Sequence, residues 1–224
     1  MKSYYIKMSD SIYYEDVDVD CSDIGGTNCY CDDVAMKEIE ERLSSVDTDA
    51  IHFIDSGNYH YLSLVFLRRI KEEFALVVFD NHTDYQEVAF GGLTSCGAWI
   101  REAVETIPNL KLVFLIGAEK AAVAETDFDE KVICINNTEG LMDVYNLDVP
   151  IYVSIDKDVL IEEECTANWS QGKMTVSELT GILKSISKDG LLGVDVCGAP
   201  GDLDDTHGNE LNKIVDEEIK KSIL

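Results

Sequence analysis

Proline is scarce in this sequence: three residues in 224, scattered like the fifteen glycines, so no Pro- or Gly-rich linker divides the chain. Basic side chains are scarce as well. Lys and Arg together number 18 against 44 Asp and Glu, a formal net charge of -26, and no Lys/Arg cluster forms a local exception. Such a surface repels phosphate backbones and anionic headgroups, which argues against nucleic acid and membranes as partners.

Long hydrophobic runs are absent too. The longest, LVFLIGA after Lys111, is far too short to cross a bilayer, and no signal-peptide pattern precedes the fold, so the expected location is the cytoplasm. The seven cysteines are odd in number and lack the paired spacing of a disulfide framework or a structural zinc site. Cys21, Cys29 and Cys31, in CSDIGGTNCYC, are therefore expected to be free, buried or half-buried thiols in a reducing compartment.

What is present is apolar mass in a repeating order. With 46% apolar residues the chain can furnish a substantial core, and its length suits one domain spanning 1–224. Apolar runs recur at AIHFID (50–55), ALVVF (75–79), KLVFLI (111–116), KVICI (131–135), IYVSI (151–155) and LLGVDV (191–196). Near-continuous Val, Ile, Leu and Phe of this length read as strands buried on both faces, as in a parallel sheet covered by helices. YYIKM and SIYYEDVDVD near the start are further candidate strands. Between them, 175–187 reads as a helix, with Leu179, Ile182, Leu183 and Ile186 on one face and a capping box from Thr175 to Glu178. A final helix is expected to dock through Leu211, Ile214, Val215 and Ile219. The alternation predicts an α/β fold of three layers, α/β/α, with a mainly parallel sheet. Ligands of such sheets bind beyond the carboxyl ends of the strands.

Those ends carry the chemistry. LVVFDNHTDYQ closes its strand with Asp80, His82 and Asp84 at alternate positions, which share one side if the extended geometry persists. IYVSIDKDVL repeats the pattern with Asp156 and Asp158, and AIHFIDSGNYHYL ends in Asp55 and offers His60 just beyond. Alone, each piece is weak, since Asp often ends a strand or caps a helix. Together they bring at least four carboxylates and two imidazoles towards one cleft, where like charges either take up protons or require cations. Two divalent ions would cancel them. The excess of oxygen donors favours Mn2+, with Zn2+, Fe2+, Co2+ or Ni2+ as alternatives. His52 reads as a core histidine and His207 as a loop residue.

The ordered series SGNYH, DNHTD and SIDKD resembles the ureohydrolases, the arginase and agmatinase family, whose patterns are GGDH, DAHxD and SxDxD in the same order. The resemblance spans about residues 50–200 and marks a short, divergent member. It implies the arginase/deacetylase-like fold and a two-manganese centre held by His60, Asp80, His82, Asp84, Asp156 and Asp158. It also implies a metal-bridging hydroxide that hydrolyses a carbon–nitrogen bond, and a homo-oligomer, a trimer or a multiple of one. Departures accompany it. LTSCGAW sets Cys96 where the family has a histidine resembling a proton shuttle, and GVDVCGAP offers Gly198 or Ala199 in place of a glutamate that contacts the guanidinium group. VLIEEE replaces the usual DP, and the Asn-containing contact for an amino-acid substrate is missing after Asp84.

Within CTANWSQGKM, Asn168, Trp169 and Gln171 are candidates for the mouth of the cleft, where an aromatic and two amides suit a flat polar substrate. FGGLTSCG has glycines but not the spacing of a phosphate-binding loop, and no nucleotide is expected. The expectation is a metal-dependent hydrolase of a guanidino, amidino or amide small molecule, with Asp84 orienting the nucleophile and Cys96 or a water delivering the proton. The alternatives are a catalytically degenerate metal-binding relative and a single-zinc deacetylase-like amidohydrolase.

Overall fold

The structure is a computed structural model that describes residues 1–10, 12–87, 93–135, 138–186 and 188–224. Along the chain come β1 (Ser3–Lys7), β2 (Val19–Asp20), β3 (Tyr30–Cys31), α1 (Asp33–Arg42), β4 (Ile51–Ile54), α2 (Ser63–Leu67), β5 (Phe74–Phe79) and β6 (Thr94–Ser95). There follow α3 (Trp99–Thr106), β7 (Leu110–Ile116), α4 (Lys120–Glu125), β8 (Val132–Ile135), α5 (Thr138–Tyr145), β9 (Ile151–Asp156), α6 (Val176–Ser185), β10 (Leu191–Cys197) and α7 (Thr206–Ile223).

Eight strands form one sheet in the order β2-β1-β4-β10-β9-β5-β7-β8, and every pairing in it is parallel. β3 and β6 make a separate antiparallel ribbon. The six apolar runs all became strands of the sheet, the central ones covered on both sides, while β8 at the edge leaves Ile133 exposed. In β5, all six residues from Phe74 to Phe79 are buried. Leu76 and Val78 pack with Met36 and Ile39 of α1, Leu64 and Phe66 of α2, and Trp99 and Ile100 of α3. Ala75, Val77 and Phe79 face the other way, towards Leu179 and Leu183 of α6 and Val215 and Ile219 of α7. Each fully buried Leu, Val or Phe contributes about 1.5–3 kcal/mol, so the three layers hold through the alternate faces of the central strands.

Three expectations need correcting. Of SIYYEDVDVD only Val19–Asp20 is strand. Tyr13 and Tyr14 are drawn inward instead, because the Tyr13 hydroxyl donates to Asp216 and the Tyr14 hydroxyl to the Ile54 carbonyl; Ser11 lies outside the described residues. The stripe of α7 is rotated: Ile214 is 61% exposed, and Asn212 and Asp216 share the buried face with Val215 and Ile219. These polar groups are buried because each has partners there, Asn212 donating to the Thr166 carbonyl and Asp216 accepting from Lys157. His207 sits in the first turn of α7 rather than in a loop. Helix α6 starts at the expected capping box and ends at Ser185, while position 187 lies outside the described residues.

Strands β4, β10, β9 and β5 are neighbours. Their carboxyl ends therefore open side by side, and whatever follows them in sequence meets at one place.

Candidate metal centre

Of these strands, β5, β9 and β4 release donors into a tight turn. β5 stops at Phe79, so the extended geometry does not persist through Asp80, His82 and Asp84. A turn gathers them instead: Asp80 Oδ1 accepts from the His82 amide at 2.6 Å, and Asp84 takes a positive φ of 44°. After β9, Asp156 Oδ1 accepts from the Asp158 amide at 2.9 Å, which winds Lys157–Val159 into a 3-10 turn. The Asn81 amide then donates to Asp158 Oδ1 at 3.0 Å and ties the two turns together. His60 comes from the 3-10 segment Gly57–Leu62 beyond β4. Asp55, at the end of that strand, turns away and accepts from the amides of Met8, Ser9 and Ser56.

The result is a cluster of His60, Asp80, His82, Asp84, Asp156 and Asp158. His60 Nδ1 lies 3.2 Å from Asp80 Oδ2, 3.2 Å from Asp84 Oδ2 and 3.8 Å from Asp156 Oδ2. His82 Nδ1 lies 2.8 Å from Asp158 Oδ2 and 3.4 Å from Asp80 Oδ1. Asp80 thus turns one oxygen to each imidazole, and two compact donor groups share it: His60 with Asp80 and Asp84, and His82 with Asp80 and Asp158.

Behind the cluster, hydrogen bonds fix which atoms face it. The Ser63 hydroxyl donates to the His60 carbonyl, and the Ser154 hydroxyl donates to Asp195 Oδ1 at 2.6 Å. Ser154 Oγ is then the acceptor for His60 Nε2–H at 2.9 Å, which leaves Nδ1 aimed at the carboxylates. His82 Nε2 rests on Ser170 Oγ at 3.0 Å, and Trp99 Nε1 donates to Asp84 Oδ2 at 2.8 Å.

The charge balance asks for cations. Asp80, Asp156 and Asp158 are at most 3% exposed, and His60 is fully buried. Burial first, then the neighbouring charges of Asp158 and Asp80, raise Asp156 above the ordinary carboxylate range; burial and Asp80 do the same to Asp158. Burial works against a charged His82, but the adjacent Asp158 and Asp80 carboxylates outweigh it and push the ring up to about 11. His60 is likewise raised, burial opposing and the neighbouring Cys197, Asp80 and Asp84 prevailing. The site therefore retains protons where it has nothing else positive. Among the described residues, His60 Nδ1 and Asp158 Oδ2 are buried atoms of the cluster that face its other donors without a well-formed hydrogen bond. Mixed imidazole and carboxylate donors with such bare, inward-facing atoms fit a pair of borderline-hard divalent ions.

Residues that the sequence did not flag complete the picture. Asp195 supports Ser154, and Cys197, the last residue of β10, sets Sγ 3.2 Å from Asp156 Oδ2. Their signal was legible: an apolar strand with Asp and Cys at alternate positions, the pattern of the other strand ends. Gly198 has φ 88°, and a Cβ there would lie 2.4 Å from Asp156 Oδ1, so no side chain of any kind fits where a glutamate was sought. Ala199 is buried against Ile12 and Tyr13. Cys96, whose amide donates to the Cys29 carbonyl, is pushed up to about 12 by burial and then by the charge of Asp84.

At the mouth, Trp169 is 41% exposed and meets the His82 ring edge-on at 5.8 Å. Trp169 Nε1 and Asn168 Nδ2 both donate to Asn58 Oδ1 at 2.9 Å, and Asn168 Oδ1 accepts from the Gly57 amide. Gln171 braces its own loop through Ala167, Leu160 and Cys165 and lines the neighbouring cavity. A cavity of about 1120 Å3 opens beside the cluster, sharing Asn81 and Ser170 with its rim and lined by Ile116, Met174 and Ile182 further in. Of FGGLTSCG, Phe90, Gly91 and Gly92 lie outside the described residues.

The sequence pattern of the Arginase family matches residues 3–212. An uncharacterized protein of Thermotoga maritima is 31% identical over 185 residues, 80% of this chain and 69% of that protein. Among solved structures, formimidoylglutamase of Bacillus subtilis superposes with a TM-score of 0.71 at 16% identity, covering 100% of this chain and 87% of that one. Agmatine ureohydrolase of Thermoplasma volcanium gives 0.66 at 14% identity, over 84% of this chain and 66% of that enzyme, so the chain spans a little under two thirds of its length. Proclavaminate amidino hydrolase of Streptomyces clavuligerus gives 0.66 at 19% identity, over 86% and 70%.

Proposed function

This chain belongs to the arginase family, hydrolases of carbon–nitrogen bonds outside peptides, and on that premise we propose that it is a binuclear metal hydrolase of a guanidino, amidino or amide small molecule. The observation that carries this reading is the divided carboxylate of Asp80, one oxygen to His60 and one to His82, beside His60 Nδ1 and Asp158 Oδ2, buried atoms that face other donors of the cluster without a well-formed hydrogen bond. His60, Asp80, Asp84 and Asp156 would hold one ion; Asp80, His82 and Asp158 would hold the other. Bound there, manganese or a similar divalent pair would supply Lewis-acid activation of water and neutralise charge at the reacting carbon.

The rest of the work falls to the chain. Ser154 and Ser170 hold the two imidazoles in place. Asp84, held through Oδ2 by Trp99, keeps Oδ1 to orient the attacking water towards the trigonal carbon. Trp169 offers a flat face at the mouth for a planar guanidine, amidine or amide, and Asn58 and Asn168 fix that face. Cys96 grips its proton too firmly to relay it at neutral pH, so a water at the mouth is assigned the transfer to the leaving amine.

Metal analysis after manganese loading, with a panel of guanidines, amidines and amides assayed in parallel, tests the proposal. About two ions per chain and turnover of a panel member are expected. A single tightly held ion would favour the deacetylase-like reading. Two ions without any turnover would favour a degenerate metal-binding relative, a reading supported by the closed position at Gly198 and the firmly protonated thiol at Cys96.

A further inference from the structure

Strand β10 brings a thiol into the cluster. In the sheet register Asp195 lies beside Ser154 and Cys197 beside Asp156, two rungs of the same face. The first rung supports His60 through Ser154. The second sets Cys197 Sγ 3.2 Å from Asp156 Oδ2, with both donors and an imidazole nitrogen of His60 mutually within 4.8 Å. Bonds of about 2.1 Å to nitrogen or oxygen and 2.3 Å to sulfur place neighbouring donors of a four- to five-coordinate ion about 3.0–3.8 Å apart. The distances of 3.2 Å from Cys197 to Asp156 and 3.8 Å from Asp156 to His60 span that range.

Two further observations point the same way. His60 Nδ1 is buried, aimed at this group and without a well-formed hydrogen bond. Gly198, at φ 88°, lets the backbone pass where a Cβ would collide with Asp156 Oδ1 and the Lys157 amide, and this close passage is what seats Cys197 against Asp156. A thiol serving only as filler has no need of a carboxylate partner at zero exposure, since Cys behaves as a small hydrophobe in a core.

We propose that Cys197 is a further, thiolate ligand of the inner ion, the one assigned above to His60, Asp80, Asp84 and Asp156. The inference rests on the binuclear reading above and extends it. On binding, the S–H bond breaks, the proton leaves to solvent and the sulfur lone pair forms the bond to the ion; nothing is oxidised. The consequence is an unequal pair. The inner position, with sulfur among its donors, selects a softer ion such as zinc or cobalt, while the outer position of Asp80, His82 and Asp158 keeps the oxygen-rich character that suits manganese.

Cobalt titration of the full chain decides the matter. The wild type is expected to take up two Co2+ and develop the near-ultraviolet thiolate-to-cobalt absorption, which Cys197→Ser loses and Cys96→Ser keeps. Two bound cobalt ions without that band, or a band that follows Cys96, would overturn the thiolate ligand and leave the binuclear centre standing. No bound cobalt would remove both. Should Cys197→Ser fail to fold, X-ray absorption of the zinc-loaded wild type supplies the answer: one sulfur neighbour supports the assignment, and none ends it.

Discussion

His60 is fixed at one nitrogen by Ser154 and faces carboxylates with the other, so its use depends on a hydroxyl that sits behind the cluster. Removing it in Ser154→Ala leaves both the ring N–H and Asp195 short of a partner. Metal affinity is expected to fall on the order of 10- to 100-fold, read by chelator competition; an unchanged affinity would show that the ring needs no such support. His52 presents the opposite case. Burial holds this histidine down to about 4, between the carbonyls of Asp47 and Val194 and stacked 3.7 Å from Phe66. A histidine depressed on folding adds stability above its unfolded value near 6.5, and that stability drains as pH falls towards 4. The loss comes to ~3 kcal/mol. In metal-free protein, the stability difference between wild type and His52→Phe should shrink over that window, followed by denaturant unfolding at several pH values. A difference independent of pH would contradict a buried neutral ring. Both residues were visible in the sequence as histidines, but the partners that assign their opposite duties were not.

At the level of elements, the strand ends were legible because apolar runs and the Asp and His that follow them are local features. The turns were not. Alternation suggested an extended row, whereas Asp80 and Asp156 each cap a turn on the amide two residues on, and the donors converge through those turns. Helix α7 was misjudged for a related reason: its face is set by Asp216, which accepts from buried Lys157 at 2.8 Å and from Tyr13, and a hydrophobic stripe cannot reveal such partners. Lys157 stands between Asp156 and Asp158, so this buried triad anchors the β9 turn to α7 and to the N-terminal segment. Asp216→Ala strands the lysine and is expected to cost about 3–5 kcal/mol in urea unfolding, while Thr175→Ala, which removes the cap of α6, should cost only about 1 kcal/mol. Equal losses would mean that the triad is no more than a surface pair.

Across the whole molecule, the formal charge of -26 and the buried carboxylates act in the same direction, since both make the metal-free state less stable than its core would allow. Divalent ions that bind the folded chain alone, at 100 times their dissociation constant, add about 2.7 kcal/mol, which for a chain of this size raises Tm by roughly 5–10 °C. A thermal scan with and without Mn2+ or Zn2+ reads this directly. The same shift in an Asp80→Asn/Asp158→Asn double variant would place the effect on the general acidic surface instead of the cluster.

By itself the sequence determined the order of elements, the parallel sheet and the inventory of donors at the strand ends, because hydrophobic periodicity and residue chemistry are written locally. Tertiary structure alone decided that Cys197 lies beside Asp156, that Asp195 reaches His60 through Ser154, and that Gly198 leaves no space for a carboxylate. Those facts depend on β10 entering between β4 and β9, and strand order is set by crossovers that join residues distant in the chain.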